Sequence, residues 1–350
     1  MIFDILIKGV AVDYQKTVAA NSVIVSFAAF VIIITGLKAS TEIIVPFLLA
    51  IFISVLCAPL MIWLKARRVP SSIAVLFVVI LFLLLTVTFG TVIGASLSAF
   101  YQDLPEYEQK LQVQGQAAIA WLLGFGIEVD KSILDEYINP GAAMAMVAKV
   151  FSGLKGVLTN TFLILFSVVF ILFEASGFPD KVRRALGSKT MALEHFQSFS
   201  DSVQRYLLIK TLVSIGTGVV AGVVLSFIGV DYAILWALIA FLLNFIPNIG
   251  SIIAAVPPML IALIQLGPLS SLFVAATYLV INTLFGNVVE PRYMGKSLGL
   301  STLVVFVSLV FWGWVFGPVG MLLSIPLTMV VKIALENSQR HRWIAVLLGH

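Results

Sequence analysis

Long apolar runs separated by short clusters of charge organise this chain. A helix that crosses a bilayer needs about 20 apolar residues, with a working range of about 17–25. Ser22–Leu37, Ile43–Leu64, Ser71–Ala99, Val157–Phe173, Leu212–Gly229 and Leu269–Val289 meet or approach that length and are predicted to span. The first is short, and the third is long enough to tilt or to project beyond the membrane. Ahead of them, Ile2, Phe3, Leu6, Val10 and Tyr14 fall near one face of residues 1–20, the pattern of an amphipathic helix lying on a membrane surface. Asp4, Lys8, Asp13 and Lys16 share that stretch, which therefore does not read as a cleavable signal peptide.

Two apolar stretches are too long for one span. Tyr232–Leu266 carries no charge but is interrupted by Pro247-Asn248-Ile249-Gly250, and Ser301–Val331 is interrupted at Gly317-Pro318. Thirty residues of unbroken helix would reach about 45 Å, against a hydrocarbon core of about 30 Å. Proline removes an amide donor and glycine tolerates the turn that follows, so each stretch is predicted to be a helical hairpin.

Composition agrees: 61% of residues are hydrophobic and 11% charged, whereas soluble domains carry about 25% charged residues. A nucleic-acid-binding function would need a basic stripe with aromatic platforms, which the sequence lacks. Cys57 stands alone in an apolar helix, so a disulfide framework is excluded. Neither a phosphate-binding glycine loop nor a Ser-His-Asp or metal-ligand spacing occurs, and the expectation is of a protein that is not an enzyme and needs no cofactor beyond a coupling Na+ or H+. Charge placement orients the chain. Lys65, Arg67 and Arg68 put the loop after the second span inside, the acidic 100–156 segment falls outside, and the basic 174–210 segment returns inside. Arg292, Lys296, Lys332, Arg340 and Arg342 are then also inside.

The predicted fold is all-α: a polytopic transmembrane helical protein with about six full spans plus two helical hairpins in an inverted repeat. Its segments are an N-terminal amphipathic stretch (1–21), three scaffold helices (22–99), an extracytoplasmic helical segment (100–156), a transmembrane helix (157–173), a cytoplasmic amphipathic segment (174–211), a transport core (212–335) and a cytoplasmic tail (336–350). Both termini are expected on the cytoplasmic side of a cell inner membrane.

The inverted repeat directs attention to the hairpin tips. A span followed by a hairpin entering from outside is succeeded by a span followed by a hairpin entering from inside, and transporters place substrate where such broken helices meet. Pro247, Asn248, Gly250 and Ser251, with Gly317 and Pro318 opposite, are the expected substrate region; ordinary surface turns are the alternative. Asn244, Asn282 and Asn287 add groups that both donate and accept, suited to a neutral polyhydroxylated solute or a partly dehydrated cation. Interhelical hydrogen bonding would explain them equally well. Glu290 closes an apolar span beside Arg292 and, with Asp231 and Glu174 at other span edges, is a candidate for proton or ion coupling. An interfacial Glu290–Arg292 pair is the alternative. Gly218-x-x-x-Gly222 and Gly313-x-x-x-Gly317 read as close helix contacts. Trp312 and Trp314 read as an interfacial aromatic belt or as a pore lining, with the belt excluded if that tip is buried.

Residues 203–211 (Val-Gln-Arg-Tyr-Leu-Leu-Ile-Lys-Thr), the 244–258 segment beginning Asn-Phe-Ile-Pro-Asn-Ile-Gly-Ser, and 287–299 (Asn-Val-Val-Glu-Pro-Arg-Tyr-Met-Gly-Lys-Ser-Leu-Gly) together carry a resemblance. The chain resembles the autoinducer-2 exporter family of bacterial and archaeal membrane proteins along almost its whole length. It departs from many relatives in lacking a proline directly after the glycine of the first tip. The resemblance implies a transporter and homo-oligomers, pentamers among them, with members associated with autoinducer-2 export and others with sodium- or lithium-for-proton antiport. With the hairpin core, the leading expectation is a secondary transporter that works by alternating access and exports a small polar solute such as autoinducer-2, a sodium- or lithium-for-proton antiporter being the alternative. An uncoupled channel or structural membrane component is the remaining alternative; membrane lipid and a small polar solute or monovalent cation are the expected partners.

Overall fold

The computed structural model describes residues 25, 27–125, 160–175, 181, 184, 190–247, 249–294, 300–336 and 342–349. The amphipathic stretch expected at 1–20 lies outside them, as do residues 126–156 of the expected extracytoplasmic segment and the tip residue Asn248. Every regular element among the described residues is helical. The protein is a polytopic helical membrane protein.

Helix α1 (Phe27–Ala39) meets α2 (Thr41–Ala66) at Ser40, and α3 runs from Ser71 to Gly124. At 1.5 Å per residue the 54 residues of α3 extend about 80 Å, far beyond any hydrocarbon core. Its first half packs with α2 and α4 (Thr161–Ala175) through Leu49, Ala74, Val78, Ile164 and Val168. Its second half turns Ile93, Phe100 and Tyr107 into a different cluster, formed with the helices that follow. One helix thus joins scaffold to core, and the expected boundary at residue 99 falls inside it.

Helix α5 (Thr190–Ile228) likewise carries the expected amphipathic segment and the following span as one rod. Gly229 and a left-handed Tyr232 (φ 61°) turn the chain into α6, Ala233–Leu243. Helix α6 stops because Pro247 lies ahead: proline supplies no amide donor and pushes its predecessor out of the helical region. Turn bonds from the amides of Asn244, Phe245 and Ile246 satisfy the carbonyls of Ala240, Leu242 and Leu243. The chain then reverses into α7 (Ile249–Leu266), as the sequence predicted. Gly267 and Pro268 at the first helical position start α8 (Pro268–Ile281), which continues as a π-helical segment, Asn282–Val289, and a last short turn, α9 (Glu290–Met294).

Ser301 caps α10 (Thr302–Leu322) by accepting the Val304 amide at 3.3 Å. Within α10, Gly317 adopts φ 65°, ψ −148°, open only to a residue without Cβ. The chain reverses there: Gly313 lies against Met321, and the Trp312 indole donates to Thr328 Oγ1 at 3.0 Å, on α11 (Ser324–Glu336). The second predicted hairpin is therefore present with its break at the predicted glycine. Helix α12 (Arg342–Leu348) ends the described chain.

Among the described residues, six helices are long and apolar enough to cross a membrane: Thr41–Ala66, Ser71–Gln116, Ser200–Ile228, Ile249–Leu266, Pro268–Tyr293 and Thr302–Leu322. The set differs from the six expected. The predicted spans Ser22–Leu37 and Val157–Phe173 begin outside the described residues, and their described parts are α1 and α4; in the hairpins, α7 reaches spanning length by itself, whereas Thr302–Leu322 does so only across the break at Gly317.

Candidate functional site

Association between helices in lipid rests on close packing and polar contacts rather than on apolar burial. The core around the first hairpin uses both. Gly218 and Gly222 on α5 let Ala237 and Phe241 of α6 approach, as the sequence spacing suggested. At the tip, Gly250 lies so close to the Leu243 carbonyl that a Cβ would overlap it. The second hairpin repeats this device, with Gly320 against the Trp312 carbonyl.

The first tip is ringed by amides and hydroxyls. Asn244, 8% exposed, donates through Nδ2 to Ser214 Oγ on α5 at 2.9 Å. Asn282, where α8 passes into the π-helical segment, donates through Nδ2 to Ser251 Oγ on α7 at 2.7 Å. One turn from Ser214, the Thr217 hydroxyl is buried and has no hydrogen-bond partner, and on α8 the Tyr278 hydroxyl is in the same state. Residue counts fix the depth of this collar. Ser214 is 15 residues along α5 from Gly229, and Asn282 is 15 from Gly267, each about 22 Å. Phe245 meets Phe52 of α2 edge-on at 5.7 Å, and Phe52 is 11 residues, about 16 Å, from Thr41. All three rulers put the first tip well inside the helical layer.

The second tip does not join it. Val315 accepts from Thr41 Oγ1 at 3.2 Å, Val315 and Phe316 pack on Ile34, and Lys38 sits 3.9 Å above the Trp314 ring. These contacts hold Gly317 and Pro318 beside the α1–α2 turn, about 16 Å along α2 from the place where the first tip touches. The expectation that Gly317 and Pro318 face Pro247 and Gly250 is corrected accordingly: the hairpins overlap in depth, so their tips pass one another. An exposed Trp314 paired with a cation fits an interfacial aromatic, whereas Trp312 is turned inward onto Thr328.

The charged candidates separate. Glu290 turns to Lys210, with Nζ 2.9 Å from Oε1 and 2.8 Å from Oε2, and the side chains are 19% and 5% exposed respectively. Lys210 lies four residues from Ser214, about 6 Å beyond the collar, and Arg292 is exposed. Sequence reasoning missed Lys210. The signal was available, since the apolar runs 211–230 and 268–289 cross in opposite directions and Lys210 and Glu290 are the charges bounding them on one side. Asp231 belongs to the opposite end of the core. Its carboxylate accepts from Tyr107 at 2.7 Å, its amide donates to Gln265 Oε1 at 3.0 Å, and neighbouring Tyr232 donates to Asp103 of α3. An open cavity of about 480 Å³ lies beside this cluster, lined by Val92, Ser96, Ser226 and Tyr232 among others. Glu174 forms an exposed ion pair with Lys181, and Asn287 faces outward. Pro247, Gly250 and Ser251 stand at the first tip as expected. Among the described residues no group of three or more His, Cys, Asp or Glu is placed to hold a metal ion.

Comparison with known proteins adds independent information. The AI-2E family transporter model matches residues 27–340. The chain is 42% identical to the AI-2 transport protein TqsA of Escherichia coli K12, covering 95% of this chain and 97% of that protein. It is 39% identical to a putative transport protein of Haemophilus influenzae, covering 96% and 98%. The putative transport protein YhhT of E. coli K12 is 36% identical, covering 93% and 94%.

Proposed function

Because this chain belongs to the AI-2E family of transporters, we propose that it exports a small, neutral, polyhydroxylated solute of the autoinducer-2 kind by alternating access, with the collar around the first hairpin tip as the binding site. The observation that carries this reading is the pairing Asn244–Ser214 and Asn282–Ser251 beside the unpartnered Thr217 hydroxyl. Each amide both donates and accepts, and no charge takes part. A neutral polyol can exchange hydrogen bonds with such groups without the desolvation cost that an ion would meet there. Irregular backbone at membrane depth is tolerated where it lines a cavity or is buried in protein, and a broken hairpin there is a recurring way of building a transport site. The Lys210 end of the core faces the cytoplasm in this reading and the Asp231 end faces outward, following the basic clusters.

Flux measurements on the protein reconstituted in liposomes test the proposal. Movement of autoinducer-2 down its gradient in the loaded vesicles, abolished by Asn282→Ala in folded protein, is expected. Absence of solute flux together with sodium-dependent collapse of a pH gradient would instead establish antiport.

A further inference from the structure

The Lys210–Glu290 pair goes beyond the collar in what it implies, although it rests on the tip being the solute site. The pair is almost removed from solvent, is held through both carboxylate oxygens, and lies about one helical turn past Ser214. It ties α5 to the end of the α8 rod about 6 Å beyond the collar. Phe52, Val55 and Leu56 of α2 and Ile325 and Met329 of α11 close around Tyr206 and Leu207 at the same level.

The connection between collar and pair is the unusual part. All eight residues from Asn282 to Val289 are π-helical, a conformation rare beyond a single turn and frequent at functional sites. One end of that segment is bonded to the tip through Asn282–Ser251, and the residue after the other end is Glu290. Its middle rests on α5, where Phe285 fills the space a side chain at Gly216 would need. A π-helix places more residues in each turn than an α-helix, so rewinding this segment to α would rotate Glu290 about the axis relative to Asn282. Both sites touch this segment, so a change in its winding would act on both at once.

We propose that Lys210–Glu290 is the inner gate of the solute path, closed in this structure, and that rewinding of Asn282–Val289 opens it when solute displaces Asn282 from Ser251. Removing one partner of a buried pair leaves an uncompensated charge and disfavours the closed state, whereas exchanging the two charges preserves it.

Thr217 provides the reporter. It is seven residues from Lys210 on the same face of α5, on the collar side of the gate, and its hydroxyl bonds to nothing, so cysteine fits without breaking a contact. In a Cys57→Ala background, Thr217→Cys is labelled with an impermeant thiol reagent in inside-out membrane vesicles, without solute. Glu290→Gln and Lys210→Met each should raise the labelling rate about tenfold or more, and the exchange Lys210→Glu with Glu290→Lys should return it near the parent. Equal labelling in parent and single variants would overturn the gate. So would labelling that rises from both membrane faces in the singles and the exchange alike, because that reports general loosening. The readout needs no cargo: its failure alongside solute flux that still depends on Asn282 would leave the tip site standing.

Discussion

Replacing Gly250 with alanine probes the packing that holds the first tip closed. A Cβ at that position would overlap the Leu243 carbonyl oxygen and lie 2.9 Å from the Ile246 Cβ. The nearest obstacle is backbone, which cannot move aside as a flexible side chain can. Overpacking costs about 1–3 kcal/mol, and a backbone obstacle puts this site at about 3. Alanine in a helix ordinarily gains about 0.5–1 kcal/mol over glycine, which leaves a net loss of about 2 kcal/mol. Gly94 on α3 is the control, because a Cβ there meets nothing within 4 Å, and alanine should be neutral or slightly stabilising. Unfolding of purified protein in mixed micelles with increasing dodecyl sulfate compares the two variants directly. Gly250→Ala should unfold earlier by about 2–3 kcal/mol relative to Gly94→Ala and should lose solute flux. If both unfold together and both transport, the hairpin is not closed by this contact and the argument for a built tip fails.

Gly317→Ala should cost about 1–3 kcal/mol because its positive φ is strained for any residue with a Cβ, yet solute affinity should stay within about twofold of the parent, since the second tip is distant from the collar; a binding isotherm separates these effects. Tyr107→Phe removes the hydroxyl that donates to Asp231 and should lower stability by about 1.5–3 kcal/mol, read from the same unfolding titration. The Tyr232 hydroxyl is pushed up to about 12, by burial first and then by its bond to Asp103. A raised tyrosine favours the protonated form in the folded state, so its contribution is full below about pH 10 and disappears as pH climbs through about 12. In an absorbance titration the parent should show one phenolate more than Tyr232→Phe as pH rises through about 12, and the two should coincide well below it.

How much of this was written in the sequence depends on range. Both hairpins were legible because a proline or glycine inside a charge-free run has a local consequence: Pro247 ends α6 through its missing amide, and Gly317 permits a φ closed to other residues. The collar was half legible. Asn244 and Asn282 stand out as amides in apolar sequence, but their partners Ser214 and Ser251 are small residues of the kind that also serve packing. Lys210 looked like the last charge of an amphipathic segment, because only the antiparallel course of α5 and α8 brings it to Glu290. The depth of the second tip was not legible at all. Turn residues state that a chain reverses and not what it reverses beside, and Thr41 and Lys38 lie far away in sequence.

The central claim concerns where solute sits, and protection of introduced cysteines tests it with least intervening inference. In the Cys57→Ala background, Ser251→Cys marks the first tip and Pro318→Cys the second. Autoinducer-2 should slow labelling of the first by a factor that saturates with concentration, and leave the second unchanged. Equal protection at both positions, or protection at Pro318→Cys alone, would contradict the assignment of the first hairpin tip as the solute site.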